Sequence, residues 1–319
     1  MSAATATLAS RAEVLKLARL LGSKPEDFAF LEPLDALVIR VLREQMTAQL
    51  YDDGKALLQK VAAATKLTPT GISAVIAEKA LGPLLCARVA SLVGAEKAID
   101  ISKKLSPAFL AETCLHLDPR RTAEIIRGTP VELVVAVSKI LQAKKEFVTM
   151  ARFVDALTPE AIKAVIAATP DEEPLLRTAV FAENPALHNE LVSYLPKARL
   201  KSLIAKATVD AELWSAALSL MSHLDTKWKG ELGQLTSELD DATLAKIVAY
   251  STAQNLWAVQ LPVIAATPVE GQKRILSSAA ITAPAVLDAI ALAAKDKSVA
   301  AAIKTLKPQM PAAMQARMA

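Results

Sequence analysis

The side chains that could carry out acid–base or metal chemistry are few in this chain and lie far apart. Histidine occurs three times, as His116, His188 and His223. Cys114 and His116 form the one close cysteine–histidine pair, but side chains at positions i and i+2 of a helix point to different sides. The pattern therefore predicts no metal site and no catalytic cluster built on histidine.

Paired carboxylates are the other candidates for chemistry. They occur at Asp52-Asp53, Glu172-Glu173 and Asp240-Asp241, each near the expected start of a helix. A carboxylate at that place caps free backbone N–H groups and interacts favourably with the helix dipole. The chain also lacks a Gly-rich phosphate loop, a His-Glu-x-x-His motif and a Gly-x-Ser-x-Gly motif. We expect a non-enzymatic protein with no catalytic residues and no cofactor.

The composition predicts that helices hold whatever site the protein has. Hydrophobic residues make up 53% of the 319 residues, aromatic residues only 4%, and glycine occurs nine times. Alanine, the best helix former, supplies much of the apolar fraction, and the low aromatic content disfavours a sheet. The net charge of +4 is small, so it gives no strong signal for nucleic-acid binding. We expect an all-α fold.

Targeting signals are not apparent in the sequence. The first residues show no basic segment followed by an apolar one. A membrane-spanning helix needs about 20 mostly apolar residues, and the longest charge-free stretch, 247–269, is interrupted by Pro262 and Pro268. Cys86 and Cys114 fall in apolar helical segments, as expected of reduced thiols. The chain is predicted to be cytoplasmic, without a transmembrane segment.

A recurring pattern gives the predicted architecture. A leucine is followed by apolar residues five, eight and nine positions later, and successive starts lie 38 to 50 residues apart. A period of this size is typical of stacked helical repeats. The starts are Leu67, Leu117, Leu157, Leu195, Leu239 and, less regularly, Ile281.

Three helices are predicted for each repeat. The start motif is often Leu-Thr-Pro or Leu-Asp-Pro, where Thr or Asp can cap a helix and proline suits its first position. An apolar pair 16 to 18 residues after the start marks a second helix, as at Leu213-Trp214 and Leu256-Trp257. The third helices are predicted at 145–155, 185–194, 226–236 and 269–279. The sequence thus predicts a right-handed α-solenoid of about six three-helix repeats.

Three regions follow from this interpretation. Residues 1–66 lack the pattern and are predicted to form an N-terminal helical cap, with helices near 8–21, 33–50 and 53–65. A partner-binding or homodimer-forming segment is the alternative for this region. Residues 67–303 form the repeats, with an extra helix at 106–115. Residues 304–319 are predicted to be a basic, flexible tail.

Short helices in threes, led by Leu-(Thr/Ser/Asp)-Pro, resemble armadillo/HEAT-type α-solenoids. The run from Leu105 to Ile126 is most similar to the cytosolic superhelical N-domain of MgtE-type magnesium channels. The resemblance implies the fold over roughly 67–290. It does not imply transport, because the chain shows no transmembrane region and no convincing counterpart of that family's magnesium-binding acidic residues.

Two functions are predicted from the repeat. The first is a protein-binding platform, for which Trp214 and Trp257 at equivalent positions would be interface anchors if they line a concave face; core packing is the alternative. Trp228, between two lysines, is predicted to be partly exposed. The second function is a carrier or sensor of an apolar small molecule such as a lipid, sterol or isoprenoid. The charge-poor stretch 247–303 suggests it, with Leu256, Leu261 and Ile264 as candidate contacts.

Overall fold

The chain folds entirely into helices wherever its structure is described. A computed structural model describes residues 3–317, with side chains for 9–184 and 186–317. Within residues 3–317 there are 22 α-helices and no strand. The predicted all-α fold class is therefore confirmed.

The first eleven helices are α1 (Ala3–Leu21), α2 (Ala36–Asp52), α3 (Lys55–Leu67), α4 (Thr70–Ile76), α5 (Gly82–Val93), α6 (Ala95–Ser102), α7 (Pro107–His116), α8 (Ala123–Gly128), α9 (Val131–Ala143), α10 (Phe147–Val154) and α11 (Pro159–Ala168). The others are α12 (Glu172–Val180), α13 (Pro185–Ser193), α14 (Lys197–Ala207), α15 (Ala211–His223), α16 (Thr226–Ser237), α17 (Asp241–Ala253), α18 (Trp257–Ala266), α19 (Val269–Leu276), α20 (Pro284–Ala293), α21 (Ala300–Leu306) and α22 (Ala312–Arg317). Short 3-10 helices occupy Pro25–Leu31, Lys297–Val299 and Lys307–Gln309, and a π-helix occupies Ala77–Leu81.

The predicted helices match these elements closely. The third helices predicted at 145–155, 185–194, 226–236 and 269–279 correspond to α10, α13, α16 and α19. The three N-terminal helices and the extra helix at 106–115 are also confirmed, as α1, α2, α3 and α7. Apolar periodicity and helix-boundary residues were sufficient to predict these helices, because most of the helix boundaries coincide with a proline or a capping side chain.

Capping explains two of the predicted helix starts. The Thr158 hydroxyl accepts a hydrogen bond from the Ala161 N–H at 3.3 Å, with proline at the first position of α11. The Asp240 carboxylate accepts one from the Thr243 N–H at 2.7 Å and begins α17. Each of these bonds satisfies an N–H that the helix leaves free, which is worth about 1 kcal/mol.

Two of the predicted helix starts are wrong. After Leu117 the chain forms a turn in which the Asp118 carboxylate accepts the Arg120 N–H, and α8 begins only at Ala123. Asp52 and Asp53 end α2 instead of beginning α3, and Gly54 precedes α3 with a φ of +70°. The Asp118 side chain bonds a local turn, and such turns compete with helix initiation. Gly54 takes the left-handed conformation and separates α2 from α3.

The described residues divide into two compact units. Residues 9–174 and 181–183 form the N-terminal unit, and residues 3–8, 175–180 and 184–317 form the C-terminal unit. Neither border coincides with the predicted ones at 66 and 303, which stay predictions of the repeat interpretation.

Helices of the N-terminal unit contact every second neighbour along the chain. One series of contacts runs through α3, α5, α7, α9 and α11, and a second runs through α4, α6 and α8. Helices α5, α7 and α9 begin at residues 82, 107 and 131. The number of helices in a repeat stays a prediction.

The C-terminal unit contains the larger cores. Contacts run through α14, α16, α18 and α21, and in a second series through α15, α17 and α20. Two clusters of 18 and 14 buried apolar residues fill this unit. The clusters of the N-terminal unit contain four, four and three such residues. Burial of apolar side chains therefore stabilises the C-terminal unit much more than the N-terminal unit.

Close glycine packing joins α16 to the end of α18. A Cβ atom on Gly233 would lie 1.9 Å from the Thr267 Oγ1, and one on Gly230 would lie 2.6 Å from the Ala266 carbonyl oxygen. Thr267 is 2% exposed and its hydroxyl donates to the Val263 carbonyl oxygen at 3.0 Å. Glycine is therefore required at both positions by the approach of the neighbouring backbone and side chain.

Candidate functional site

Five of the six predicted contact residues lie in the core of the C-terminal unit. Their exposed fractions run from 0% to 3%, for Leu261, Trp257, Trp214, Leu256 and Ile264. A partner would reach them only if this core opened, so their role as contacts stays a prediction. Trp228 is partly buried and has the Lys227 Nζ 5.3 Å from its ring centre, which confirms the partial exposure predicted for it.

A small cavity lies beside two of these residues. Trp214 and Ile264 line it together with Gln260 and Ser278, and it offers about 20 Å³ for the centre of a water molecule. The Gln260 Oε1 and the Ser278 Oγ are buried there without a hydrogen-bond partner in the protein. A space of this size and polarity suits one water. It is far too small for the lipid, sterol or isoprenoid of the carrier hypothesis.

The cysteines and histidines form no reactive cluster in the part of the chain that is described. No group of three or more His, Cys, Asp or Glu side chains within residues 3–317 is placed to hold a metal ion. Cys86 and Cys114 are free. Burial raises the pKa of Cys86 to about 11 and that of Cys114 to about 12, so both are protonated thiols at neutral pH.

One histidine is buried without a hydrogen bond to its ring. His188 on α13 is 7% exposed, and neither of its ring nitrogens has a hydrogen-bond partner. Its ring centre lies 6.3 Å from that of His223. Burial, and secondarily the charge of His223, lowers the pKa of His188 below its ordinary value of 6.5.

The stability of the C-terminal unit is expected to fall as the pH drops below about 6.5. The unfolded chain binds a proton at His188 more readily than the folded chain does, so acid favours unfolding. Unfolding by denaturant between pH 7 and pH 5, followed by tryptophan fluorescence, measures this slope. We expect His188→Leu to flatten it and His223→Gln to retain most of it, because burial is the larger cause. Equal slopes for His188→Leu and the wild type would contradict the assignment.

Helix α2 buries a basic side chain on its inner side. Ile39, Arg43 and Thr47 form its buried stripe, with Arg43 only 5% exposed. Of the apolar stripe that the periodicity predicts for residues 33–50, Leu42 and Met46 are partly buried, and the other residues are on the surface. This outward stripe consists of Leu34 (44% exposed), Leu37 (63%), Val38 (55%) and Val41 (46%).

A buried cluster of charges explains this orientation. Glu13 on α1 is 1% exposed, and its Oε1 lies 2.9 Å from the Lys16 Nζ and 3.1 Å from the Arg40 Nη2. Its Oε2 accepts a hydrogen bond from the Arg43 Nε at 3.1 Å. One carboxylate therefore pairs with three cations, two of which belong to α2.

Glu183 supplies the second carboxylate of this cluster. Its Oε1 lies 2.8 Å from the Arg43 Nη2 and 3.2 Å from the Lys16 Nζ. Burial alone would raise the pKa of Glu183, but Lys16, Arg43 and Arg40 outweigh it and lower the pKa. Burial and the charge of Glu183 raise the pKa of nearby Asp155. We call Glu13, Lys16, Arg40, Arg43 and Glu183 the Glu13 cluster.

The far end of α2 is also held by polar contacts. The Tyr51 hydroxyl donates to the His116 carbonyl oxygen, and the Arg121 guanidinium carbon lies 5.2 Å from the centre of the Tyr51 ring. Burial, followed by the charge of Asp118, raises the pKa of Tyr51 to about 12. Arg120 pairs with Glu44 at 2.8 Å. Polar groups thus fix α2 along its whole length.

A second apolar surface lies where the repeat pattern begins. Leu67 is 88% exposed, and Ile72, Val75 and Ile76 of α4 are 54%, 60% and 43% exposed. Residues 72, 75 and 76 share one side of the helix, while Ser73, Ala74 and Ala77 form its buried side. We call Leu67, Ile72, Val75 and Ile76 the α4 face.

The same motif is buried later in the chain. Leu239, Leu244, Ile247 and Val248 occupy the corresponding positions at α17 and are 8%, 3%, 2% and 4% exposed. Helix α17 is covered by contacts with α15, α18 and α20. The α4 face therefore has the side chains of a helix–helix contact without a covering helix.

Three lysines border the α4 face. Lys66 precedes Leu67, and Lys79 follows Ile76 by three residues, on the exposed side. Lys60 lies on the exposed stripe of α3 that ends at Leu67. The segment 55–81 has a net charge of +3, from four lysines and Glu78. The surface is thus an apolar patch with a positive border.

Comparison with known proteins gives no relative: no family model matches the chain, and no curated protein or solved structure matches it significantly. The resemblance to the MgtE N-domain accordingly stays a prediction. Among the described helices, none is long and apolar enough to cross a membrane.

The sequence predicted a partner-binding or homodimer-forming segment only as the alternative for residues 1–66, and it predicted no binding surface at α4. Both stripes are visible as helical periodicity, but periodicity assigns an apolar stripe to a core by default. The signal that could have identified α2 is the alternation of its stripe with Arg40 and Arg43, for which buried carboxylate partners lie 27 to 140 residues away.

Proposed function

We propose that the protein is a non-enzymatic α-solenoid that binds a protein partner through the α4 face. The two series of alternating contacts between α3 and α11 support a solenoid, since most helices there pack against the second-next one. The free cysteines suit the reducing conditions of the cytoplasm.

One observation carries the binding function. A motif whose apolar residues are covered by helices at α17 is uncovered at α4. Contiguous apolar patches of several hundred Å² on a protein surface mark interaction sites. A partner that supplies a helix would bury the α4 face as α15, α18 and α20 bury the corresponding residues of α17.

Photo-crosslinking in the native cell tests this proposal. A photoreactive amino acid at Val75 is expected to form one dominant protein adduct, whereas the same group at Leu292, which is 65% exposed on α20, is expected to form none. Ile72→Asp beside the crosslinker should abolish the adduct, because a carboxylate would then face apolar side chains. Equal labelling from Val75 and Leu292 would refute binding at the α4 face.

A further inference from the structure

We infer that the partner at the α4 face is the outward stripe of α2 from a second copy of this chain, in a two-fold dimer with two such contacts. This inference rests on the proposed function and names its partner. In a two-fold interface, a residue that contacts another across the axis is matched by the reciprocal pair. Each copy would therefore give its α2 stripe and receive one on its α4 face.

The two surfaces match in length and pattern. Leu37, Val38 and Val41 lie on one exposed side of α2 over about one helical turn, and Leu34 lies just before the N-cap Asp35. Helices dock by apolar sides of this kind. On the receiving side, Ile72, Val75 and Ile76 of α4 also cover about one turn, extended by Leu67 at the end of α3. Apolar side chains in these rows can interdigitate as in other helix pairs.

The charges beside the two surfaces are opposite. Residues 24–41, which contain the outward stripe, carry Lys24 and Arg40 against four carboxylates, at Glu26, Asp27, Glu32 and Asp35, for a net charge of −2. Residues 55–81 carry a net charge of +3. Two α4 faces would repel each other, as would two α2 stripes, whereas α2 on α4 brings opposite charges together.

The exposed apolar area approaches that of a stable dimer interface. The eight side chains of the two surfaces are 43% to 88% exposed, which amounts to on the order of 700 Å² per copy, against about 800 Å² per partner in stable interfaces. This area is divided between two separate surfaces, so both contacts have to form.

The Glu13 cluster prepares α2 for this contact. Because Arg40 and Arg43 are paired with Glu13 on the inner side of the helix, the apolar stripe is already turned outward in the single copy. Binding then requires no rotation of the helix and no separation of buried charges, which reduces the cost of association.

Sedimentation equilibrium of the full chain over a concentration series tests the dimer. Two variants are required: an α2 variant, Leu37→Asp with Val41→Asp, and an α4 variant, Ile72→Asp with Val75→Asp. Each removes both contacts of its own homodimer, so each is expected to weaken dimerisation by a hundredfold or more, about tenfold per contact. Val209→Asp with Leu292→Asp, at residues 62% and 65% exposed, is the matched control and should dimerise like the wild type. Circular dichroism shows that each variant is folded.

Mixing the two variants distinguishes reciprocal contacts from other dimers. In the mixture, α2 of the α4 variant can still bind the α4 face of the α2 variant, so a heterodimer is expected at concentrations where each variant alone is monomeric. A dimer of two α4 faces would instead leave the α2 variant dimeric and the mixture without heterodimer, which would overturn the inference. A wild type that stays monomeric throughout would overturn it as well.

The crosslinking experiment separates failure of this inference from failure of the proposed function. An adduct that joins Val75 of one copy to residues 30–45 of a second copy supports both. An adduct with a different protein from a monomeric chain leaves the proposed function standing and refutes the dimer. No adduct at Val75 refutes both.

Discussion

Replacing Glu13 with glutamine is expected to lower the free energy of unfolding by about 3–5 kcal/mol, because the side chain is the shared partner of three cations. The amide would remove the negative charge that Lys16, Arg40 and Arg43 all contact within 3.1 Å. Removing one partner of a buried ion pair leaves charge uncompensated in a medium that solvates it poorly, which is costly. Denaturant unfolding followed by circular dichroism measures the loss.

A matched substitution on the surface provides the control. Glu270 pairs with Lys273 at 2.9 Å, but its side chain is 83% exposed, and exposed ion pairs contribute little. We expect Glu270→Gln to change the free energy of unfolding by less than about 0.5 kcal/mol. If Glu13→Gln changed the free energy of unfolding equally little, the charges of the Glu13 cluster would not be what holds α2 with its outward stripe on the surface.

Replacing Gly233 with alanine is expected to destabilise the C-terminal unit by about 1–3 kcal/mol, although alanine ordinarily stabilises a helix. The added methyl group would overlap the Thr267 Oγ1. That hydroxyl cannot move freely, since Thr267 is buried and bonded to the Val263 carbonyl oxygen. All three tryptophans lie in this unit, so tryptophan fluorescence during denaturant unfolding reports the change.

Two further variants make the result specific to the overlap. Gly71 on α4 has no atom within 4 Å of an added Cβ, so Gly71→Ala should be neutral or stabilising by up to about 1 kcal/mol. Thr267→Ala removes the overlapping oxygen, and in its background Gly233→Ala should cost less than it does alone. A full cost in both backgrounds would show that the methyl group clashes elsewhere.

The sequence was sufficient for the helices but not for their orientation. Positions of α7, α10, α13, α16 and α19 follow from local features, since proline, capping side chains and periodicity act within a few residues. The turn at Asp118 was missed because its carboxylate bonds the chain two residues ahead instead of opening a helix. The prediction of a helix there relied on an Asp-Pro pair at the place that corresponds to the Thr-Pro pair at the start of α11.

The candidate sites depend on long-range contacts that one sequence does not reveal. Glu13 and Arg43 look like ordinary surface charges along the chain, and only the fold places them 3.1 Å apart with Glu183 beside them. With Glu13 and Arg43 buried, Leu37, Val38 and Val41 lie on the surface, while Ile39 of the same helix is in the core. The α4 face was missed for a related reason, since its motif is indistinguishable from the buried one at α17.

The unequal cores of the two units have a consequence for hydrogen exchange. The clusters around Trp214 and Ile290 are large, whereas those around Ile39, Leu58 and Leu141 contain three or four residues each. Segments with few buried apolar contacts open at lower free energy than the molecule as a whole. Amides of the N-terminal unit should thus exchange through local openings, and the helices that carry both apolar surfaces belong to the part of the protein that is easiest to open.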